Sequence, residues 1–275
     1  MTVRDESYEL LAARVGDLLR RAESGTVAVL PFLNPRDARR AERALREYGA
    51  QGQAWLWGGY PDAERACLFF LPDYLLACLP NGRVTAEDTD ALTELLAEEL
   101  AEAVCAVHIR GSGYRKLTHR DYLGSLLGLG LERDALGDIA VQSDCEAVVF
   151  CSQRIAQFLL TSLEKVASDT VKCKPYTVDA QFTDGRRYRP ISDTVASQRL
   201  DCVVAALTNL SRDDAQRLIR TGLVEVEFEP EERVDCHLTP PVTISVRGYG
   251  RFVLRAFAGE TRKGRLRLCA DQLIS

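Results

Sequence analysis

Methionine occurs once in the 275 residues, tryptophan twice and histidine three times. His108, His119 and His237 are too few and too far apart for a histidine-built metal site. The nine cysteines (Cys67, Cys78, Cys105, Cys145, Cys151, Cys173, Cys202, Cys236 and Cys269) include no C-x-x-C pair, whereas structural zinc favours paired ligands at short spacing. Their number is odd and most sit in apolar runs such as Ala103-Val-Cys-Ala-Val107, so they read as small buried hydrophobes in a reducing compartment. No metal and no cofactor is expected. No apolar run approaches the roughly 18 residues of a membrane span. Met1-Thr-Val-Arg-Asp-Glu6 lacks the apolar core of a signal peptide, so a cytoplasmic location is expected.

With 46% hydrophobic and 27% charged residues, general disorder is excluded, and the length suffices for two or three domains. The net charge of −5 argues against bulk nucleic-acid binding, but its distribution is uneven. Residues 1–185 carry a net −8 and residues 186–275 a net +3. Within 247–267 seven basic residues face a single acid, Glu260.

The period of the apolar residues gives the organisation. Leu10, Leu11, Val15, Leu18 and Leu19 recur at helical spacing over 5–23, and Thr26-Val-Ala-Val-Leu30 reads as a buried strand. Asn34-Pro35 opens a second helix, and strands follow at 53–57 and 65–71 across a Gly58-Gly-Tyr-Pro61 turn. This N-terminal α/β unit is assigned to 1–82. Residues 84–103 read as one acidic, solvated helix. From 104 the pattern is strand, helix (119–127), strand (137–142), strand (146–151), helix (153–166), strand (170–174). That βαββαβ order is the ferredoxin-like plan, assigned to a middle domain at 83–175. Its sheet offers His108 and Phe150 rather than the aromatic pair with which such sheets stack on RNA, so support for RNA binding there is weak. A linker is expected at 176–185 and a last domain at 186–275. The overall class is α+β.

Several strings imitate catalytic motifs and fail on spacing. His119-Arg-Asp121 lacks the Asn five residues on that a kinase loop needs for magnesium; Leu126 stands there. Gly111-Ser-Gly113 and Gly128-Leu-Gly130 lack the third glycine of a dinucleotide loop. Arg199-Leu-Asp201 matches the catalytic triplet of pseudouridine synthases, but Leu200, Val203, Val204 and Leu207 put it at the start of an amphipathic helix. No catalytic residue is assigned.

The basic chemistry concentrates in the last domain. A helix at 194–207 is followed by Asn209-Leu-Ser211, with Ser211 as N-cap of a second helix ending at Gly222. At 100° per residue Ala215, Leu218 and Ile219 fill an arc of about 100°, and Arg212, Arg217 and Arg220 a separate arc of about 140°. The free N–H groups beside Ser211 and Arg212 favour a phosphate. Strands follow, with Arg247, Arg251, Arg255, Arg265 and Arg267 on or beside them and Arg262 and Lys263 in a loop. Guanidinium forks match phosphate geometry. This rigid, basic surface lacks a row of aromatics for unstacked bases, which suits a preformed RNA helix or junction.

The segments Arg199-Leu-Asp201, Ser211-Arg-Asp-Asp-Ala-Gln-Arg-Leu-Ile-Arg-Thr-Gly-Leu-Val224 and Ile244-Ser-Val-Arg-Gly-Tyr-Gly-Arg-Phe252 resemble the S4-type RNA-binding domain. The last of these, with Gly58-Gly-Tyr-Pro-Asp-Ala-Glu-Arg65, Lys116-Leu-Thr-His-Arg-Asp-Tyr-Leu-Gly-Ser-Leu-Leu-Gly-Leu-Gly130 and Gly137-Asp-Ile139, resembles the bacterial YlmH family over nearly the whole chain. The resemblance implies a noncatalytic RNA-binding protein with a C-terminal S4-type helix pair on a small sheet. It implies rRNA and tRNA as partners, on the large ribosomal subunit, in rescue of stalled ribosomes, and it carries a link to cell division. It also implies that Arg199 and Arg212 meet RNA. The expected RNA-binding set is Arg199, Ser211, Arg212, Arg217, Arg220, Arg247, Arg251, Arg262 and Lys263. Two departures from the family pattern are Glu227 in place of Asn and Thr239-Pro-Pro241 in place of a Gly-Asp turn. The stretch 225–235 holds six acids and one base, so it is expected either to face away from RNA or to weaken binding. The alternatives are a protein-interaction adaptor for division proteins, docking through the acidic 84–103 helix, and an RNA-modifying enzyme.

Overall fold

Asn34 stops one element and starts the next: its side chain accepts from the Asp37 N–H, and Pro35 occupies the first helical position, where its missing N–H costs nothing. In the computed structural model, which describes residues 3–274, this cap joins two of the first five elements. These are α1 (Val3–Glu23), β1 (Ala28–Leu33), α2 (Pro35–Glu47), β2 (Ala54–Trp57) and β3 (Ala66–Phe70). The strands form an antiparallel sheet in the order β1-β3-β2. Val15, Leu18 and Leu19 of α1 and Ala41, Ala44 and Leu45 of α2 pack on one face, against Leu30, Leu68 and Phe70.

Three short helices follow, α3 (Asp73–Leu76), α4 (Thr89–Leu95) and α5 (Ala97–Ala103). The single acidic helix expected over 84–103 is thus two, broken at Leu96, which leaves helical geometry (φ −107°, ψ 23°) while staying fully buried. Asp88 is not solvated either: it is 6% exposed and accepts from the Thr85 N–H and hydroxyl.

The next elements are β4 (Cys105–Gly111), α6 (His119–Gly128), β5 (Leu136–Ser143), β6 (Glu146–Cys151), α7 (Gln153–Ser162), β7 (Lys165–Val166) and β8 (Asp169–Tyr176). The sheet order β5-β6-β4-β8-β7, antiparallel throughout, is that of the split βαβ plan with a two-residue strand added. The helix expected to reach 166 ends at Ser162, because Lys165-Val166 pairs with β8. Tyr122, Leu126 and Leu159 of α6 and α7 cover one face of this sheet. On the other face Ala140, Val148 and Phe150 share a core with Phe32, Trp55 and Phe69 of the first sheet and with Leu92 and Leu96. The segments expected as separate domains at 1–82 and 83–175 therefore lie in one compact unit spanning 1–185, each with its own sheet. The expected linker at 176–185 belongs to that unit too: Phe182 is an anchor, its ring 5.0 Å from Tyr60 and 5.7 Å from Phe150.

The second unit, 186–275, contains β9 (Arg187–Val195), α8 (Leu200–Thr208), α9 (Arg212–Arg220), β10 (Val224–Val226), β11 (Glu229–Pro230), β12 (Val242–Val246), β13 (Gly250–Glu260) and β14 (Leu266–Ile274). Its six-stranded antiparallel sheet runs β11-β10-β12-β13-β14-β9. Both helices pack on one face through Leu200, Val203, Val204, Leu207, Ala215 and Ile219, against Ile244, Phe252, Leu254 and Leu268. The helix expected from 194 begins at Leu200, since 194 and 195 finish β9. Pro190 disguises that strand, and the sheet tolerates it because β9 lies at the edge, where a missing donor goes unneeded.

Candidate nucleic-acid interface

Asp201 organises the helix pair. It begins α8 next to Leu200, and its side chain has no exposed surface. Such a carboxylate survives only if its oxygens are fully partnered. Arg199 donates from Nε at 3.1 Å and Nη2 at 3.2 Å, Arg212 from Nε at 3.0 Å, Gln216 from Nε2 at 2.9 Å, and the Cys202 N–H at 3.0 Å. Burial alone would push the Asp201 pKa up; the bonds from Arg199, Gln216 and Arg212 outweigh it and hold the carboxyl well below the usual carboxylate range. Two guanidinium groups from different helices are thus drawn to one buried anion, while their side chains stay 33% and 53% exposed.

The local sequence sets this up. Asn209 ends α8 in the left-handed region (φ 55°), a conformation Asn accepts readily. Two residues later the Ser211 hydroxyl accepts from the Asp214 N–H at 3.1 Å and caps α9. The tight connection packs α9 against α8, so that the side chains of Arg212 and Gln216 both reach Asp201 at the start of α8. Asp213 and Asp214 also lie in that first turn, and Asp214 pairs with Arg217.

The nine residues expected to form one RNA surface divide in two. Arg199, Ser211, Arg212, Arg217 and Arg220 belong to the helix pair, with Arg217 and Arg220 exposed on α9. Arg247, Arg251, Arg262 and Lys263 belong to the sheet. Arg251 stands opposite Ser245, alternating with the buried Ile244–Phe252 pair, so it points away from the helices. Its guanidinium lies 5.3 Å from the centroid of the Phe228 ring, and that of Arg255 lies 5.8 Å from Tyr188. The helix pair carries no aromatic, as expected, but the outer sheet face carries these two. Arg262 and Lys263 are exposed in the turn between β13 and β14.

The acidic stretch does not face wholly away. Glu227 and Phe228 form the two-residue turn of the β10–β11 hairpin, both with positive φ (53° and 67°), as a type I′ turn requires. Asn suits that position better than Glu. Downstream, 233–238 runs alongside the entrance of α8: the Asp201 N–H donates to the Val234 carbonyl at 3.1 Å and the Leu200 N–H to that of Cys236 at 2.8 Å. Asp235 is close enough to Arg199 to help hold its proton, after the Asp201 bond that dominates. Glu231 turns to Arg233, which holds its carboxyl at about 2.

In the first unit, the Gly58–Arg65 and Gly137–Ile139 strings meet. Asp138 accepts from the Tyr60 hydroxyl at 2.6 Å and from the Glu64 and Arg65 N–H groups at 2.8 and 3.1 Å. Arg65, 6% exposed, donates to the carbonyls of Leu136 (2.7 Å) and Arg133 (3.0 Å). A Cβ on Gly59 (φ 102°) would lie 2.5 Å from the Phe150 ring, and one on Gly137 would lie 2.6 Å from Phe32. These glycines let the two sheets approach, so the strings fasten the fold. Phe150, 1% exposed, is sealed in that seam and is unavailable to RNA, and the His108 ring sits 6.0 Å from Tyr176. Cys67 and Cys151 are buried, which pushes each thiol up to about 12. Cys78 is exposed and the other six are half-buried.

Residues 103–180 match the family model described as "Putative RNA-binding domain in YlmH". The middle of this chain is YlmH-like. The YlmH-like stretch takes in β4 to β8 and the start of the segment carrying Phe182. Over 223 residues the chain is 29% identical to the "Ribosome-associated protein quality control protein P2" of Bacillus subtilis (strain 168), covering 78% of this chain and 76% of that one. It is also similar to the solved structure of the cell division protein ylmH from Streptococcus pneumoniae, with a TM-score of 0.46 and 16% identity over 64% of this chain and 93% of that one. Among the described residues no helix is long and apolar enough to cross a membrane.

Proposed function

We propose that the second unit is an S4-type RNA-binding domain, and that the protein acts without catalysis on structured RNA of the large ribosomal subunit and its tRNA in rescue of stalled translation. The observation that carries this reading is the buried Asp201 with Arg199 and Arg212 fastened to it. A charge buried at the junction of two helices is costly unless it orders something. Here it fixes two forks, one from the start of α8 and one from the start of α9, at a single point. The spacing of the forks is set before RNA arrives, so little side-chain entropy is lost on binding. The name of the Bacillus relative supports the ribosomal context. The tRNA beside the subunit rests on the family resemblance.

The test is a sucrose gradient of cell lysate at moderate salt. The protein should travel with large subunits, more so when stalled peptidyl-tRNA accumulates, and Arg217→Glu with Arg220→Glu, which leaves the Asp201 bonds in place, should leave it at the top with an unchanged melting temperature. Wild-type protein that stays at the top under both conditions rules out the ribosomal reading and favours a division adaptor.

A further inference from the structure

Both faces of the YlmH-like sheet are occupied inside the first unit: one by α6 and α7, the other by the seam holding Phe150, Tyr60 and Phe182. RNA reaching this domain therefore does not lie on its sheet. At one end the loop between β4 and α6 presents Tyr114, which is 94% exposed, the most exposed large apolar residue among the described residues. Isolated exposed tyrosines are common; this one sits on a braced loop among cations. Asp169, 6% exposed, accepts from the Ser112 N–H at 3.1 Å and pairs with its hydroxyl at 2.5 Å. The Ser112 hydroxyl in turn accepts from the Tyr114 N–H at 3.2 Å. Arg115 reaches Ser168 at 3.1 Å and Asp121 at 3.4 Å, and Lys116 reaches Asp144 at 2.8 Å. The Leu117 N–H closes the loop on the Asp144 carbonyl at 2.7 Å, and Leu117 is buried.

The charge of this end runs against that of its unit. Arg110, Arg115, Lys116, Arg120 and Lys172 are exposed here, Arg110 standing opposite Lys172 across the β4–β8 pair. The acids among them are Asp121, Asp144, Glu146 and Asp169. Asp169 is spent on the loop, Asp121 on the α6 capping box, and Glu146 faces Arg110 at 3.2 Å. Five cations thus stand against four acids, with Arg110, Arg115 and Lys116 each paired to one of them, so this end of a net-negative unit carries a small positive excess, with an aromatic ring at its tip.

We infer that the 111–120 loop is a second RNA contact, in which Tyr114 stacks on an unpaired base while Arg115, Lys116 and Arg120 take the flanking phosphates. Stacking tolerates any base because every base has a π-face, and the surrounding cations track the backbone. The partner is a single-stranded RNA segment such as a loop or bulge, whereas the Asp201 cluster suits paired RNA. The inference is independent of the S4-type reading, because it concerns other residues in another unit.

The experiment measures binding of the full-length protein to a fluorescein-labelled ten-nucleotide oligouridine RNA and, separately, to a labelled RNA hairpin without unpaired tails. Tyr114→Ala should weaken oligouridine binding about 5- to 150-fold, the range that base–aromatic stacking spans. Tyr114→Phe should restore it. Arg115→Glu with Lys116→Glu should weaken it further, and Arg199→Glu with Arg212→Glu should leave it unchanged while reducing hairpin binding. Thermal melting should be the same for Tyr114→Ala and wild type, since the ring buries almost nothing. The inference is overturned if wild-type protein does not bind oligouridine, if Tyr114→Ala binds it as wild type does, or if the Arg199/Arg212 variant loses it equally. Hairpin binding that persists in those cases leaves the S4-type reading standing.

Discussion

Asp201→Asn keeps the shape of the side chain and removes its charge. In the wild type the two carboxylate oxygens accept two bonds from Arg199, one from Arg212, one from Gln216 and one from the Cys202 N–H. A carboxamide has one acceptor oxygen, and its NH2 would point at donors. Breaking a buried ion pair costs about 3–5 kcal/mol. Arg199 and Arg212 are 33% and 53% exposed and regain water when released, which lowers the expected loss to about 2–3 kcal/mol. For a unit of this size that corresponds to a fall of roughly 10–20 °C in its melting temperature. The sign of the pH dependence follows from the depressed carboxyl. The unfolded chain takes up a proton near pH 4 and the folded unit only well below it. The stabilisation is therefore complete above about pH 5 and fades as pH falls through the acid range. The gap between wild type and Asp201→Asn should be widest at neutral pH and narrow towards pH 2. The assay is thermal melting of the full-length protein from pH 7 to pH 2.5, paired with hairpin-RNA binding well below the melt, where loosened guanidiniums should weaken affinity. A variant that melts with wild type at pH 7 and binds RNA equally well would falsify the claim that Asp201 holds the two arginines.

Arg212→Glu should reduce the slope of log affinity against log salt by about 0.7–0.9 for each phosphate that is no longer neutralised, whereas Glu94→Lys should leave it unchanged; a salt titration of hairpin binding checks both. Asp235→Asn should tighten RNA binding about two- to fivefold at low salt, an effect that fades as salt rises, because it removes an acid beside Arg199; equal affinity at low salt would mean that RNA never approaches that segment. Tyr60→Phe deletes the 2.6 Å hydrogen bond to Asp138 and should destabilise the first unit by about 1.5–3 kcal/mol in denaturant melts, with hairpin binding intact.

Period and turn chemistry located most of the elements. Asn34-Pro35, Ser211 and Gly222 marked helix ends because capping depends on residues adjacent in sequence, and the βαββαβ order was legible because each element has its own period. What failed depended on partners distant in the chain. β9 was hidden by Pro190 and its exposed residues; only its pairing with β14 makes it a strand. Phe182 sat in a polar stretch and looked like part of a linker until Tyr60 and Phe150 were placed beside it. Phe150 looked like a surface aromatic because alternation shows that a strand has two faces, not that a second sheet covers one of them. At the site, the arginines were conspicuous as charges on a helical arc, while Asp201 was set aside with a failed catalytic triplet. An acid inside the apolar run Leu200–Leu207, two residues after an arginine, was the available sign that it would be buried and paired.

The most direct test is to crosslink the protein to RNA in living cells and sequence what is bound, for wild type and for the Arg199→Glu, Arg212→Glu variant at equal abundance. The account predicts reads concentrated in large-subunit rRNA and tRNA, with protein-side crosslinks in 199–220, and loss of those reads in the variant. Reads spread over messenger RNA, or an rRNA signal unchanged in the variant, would contradict it.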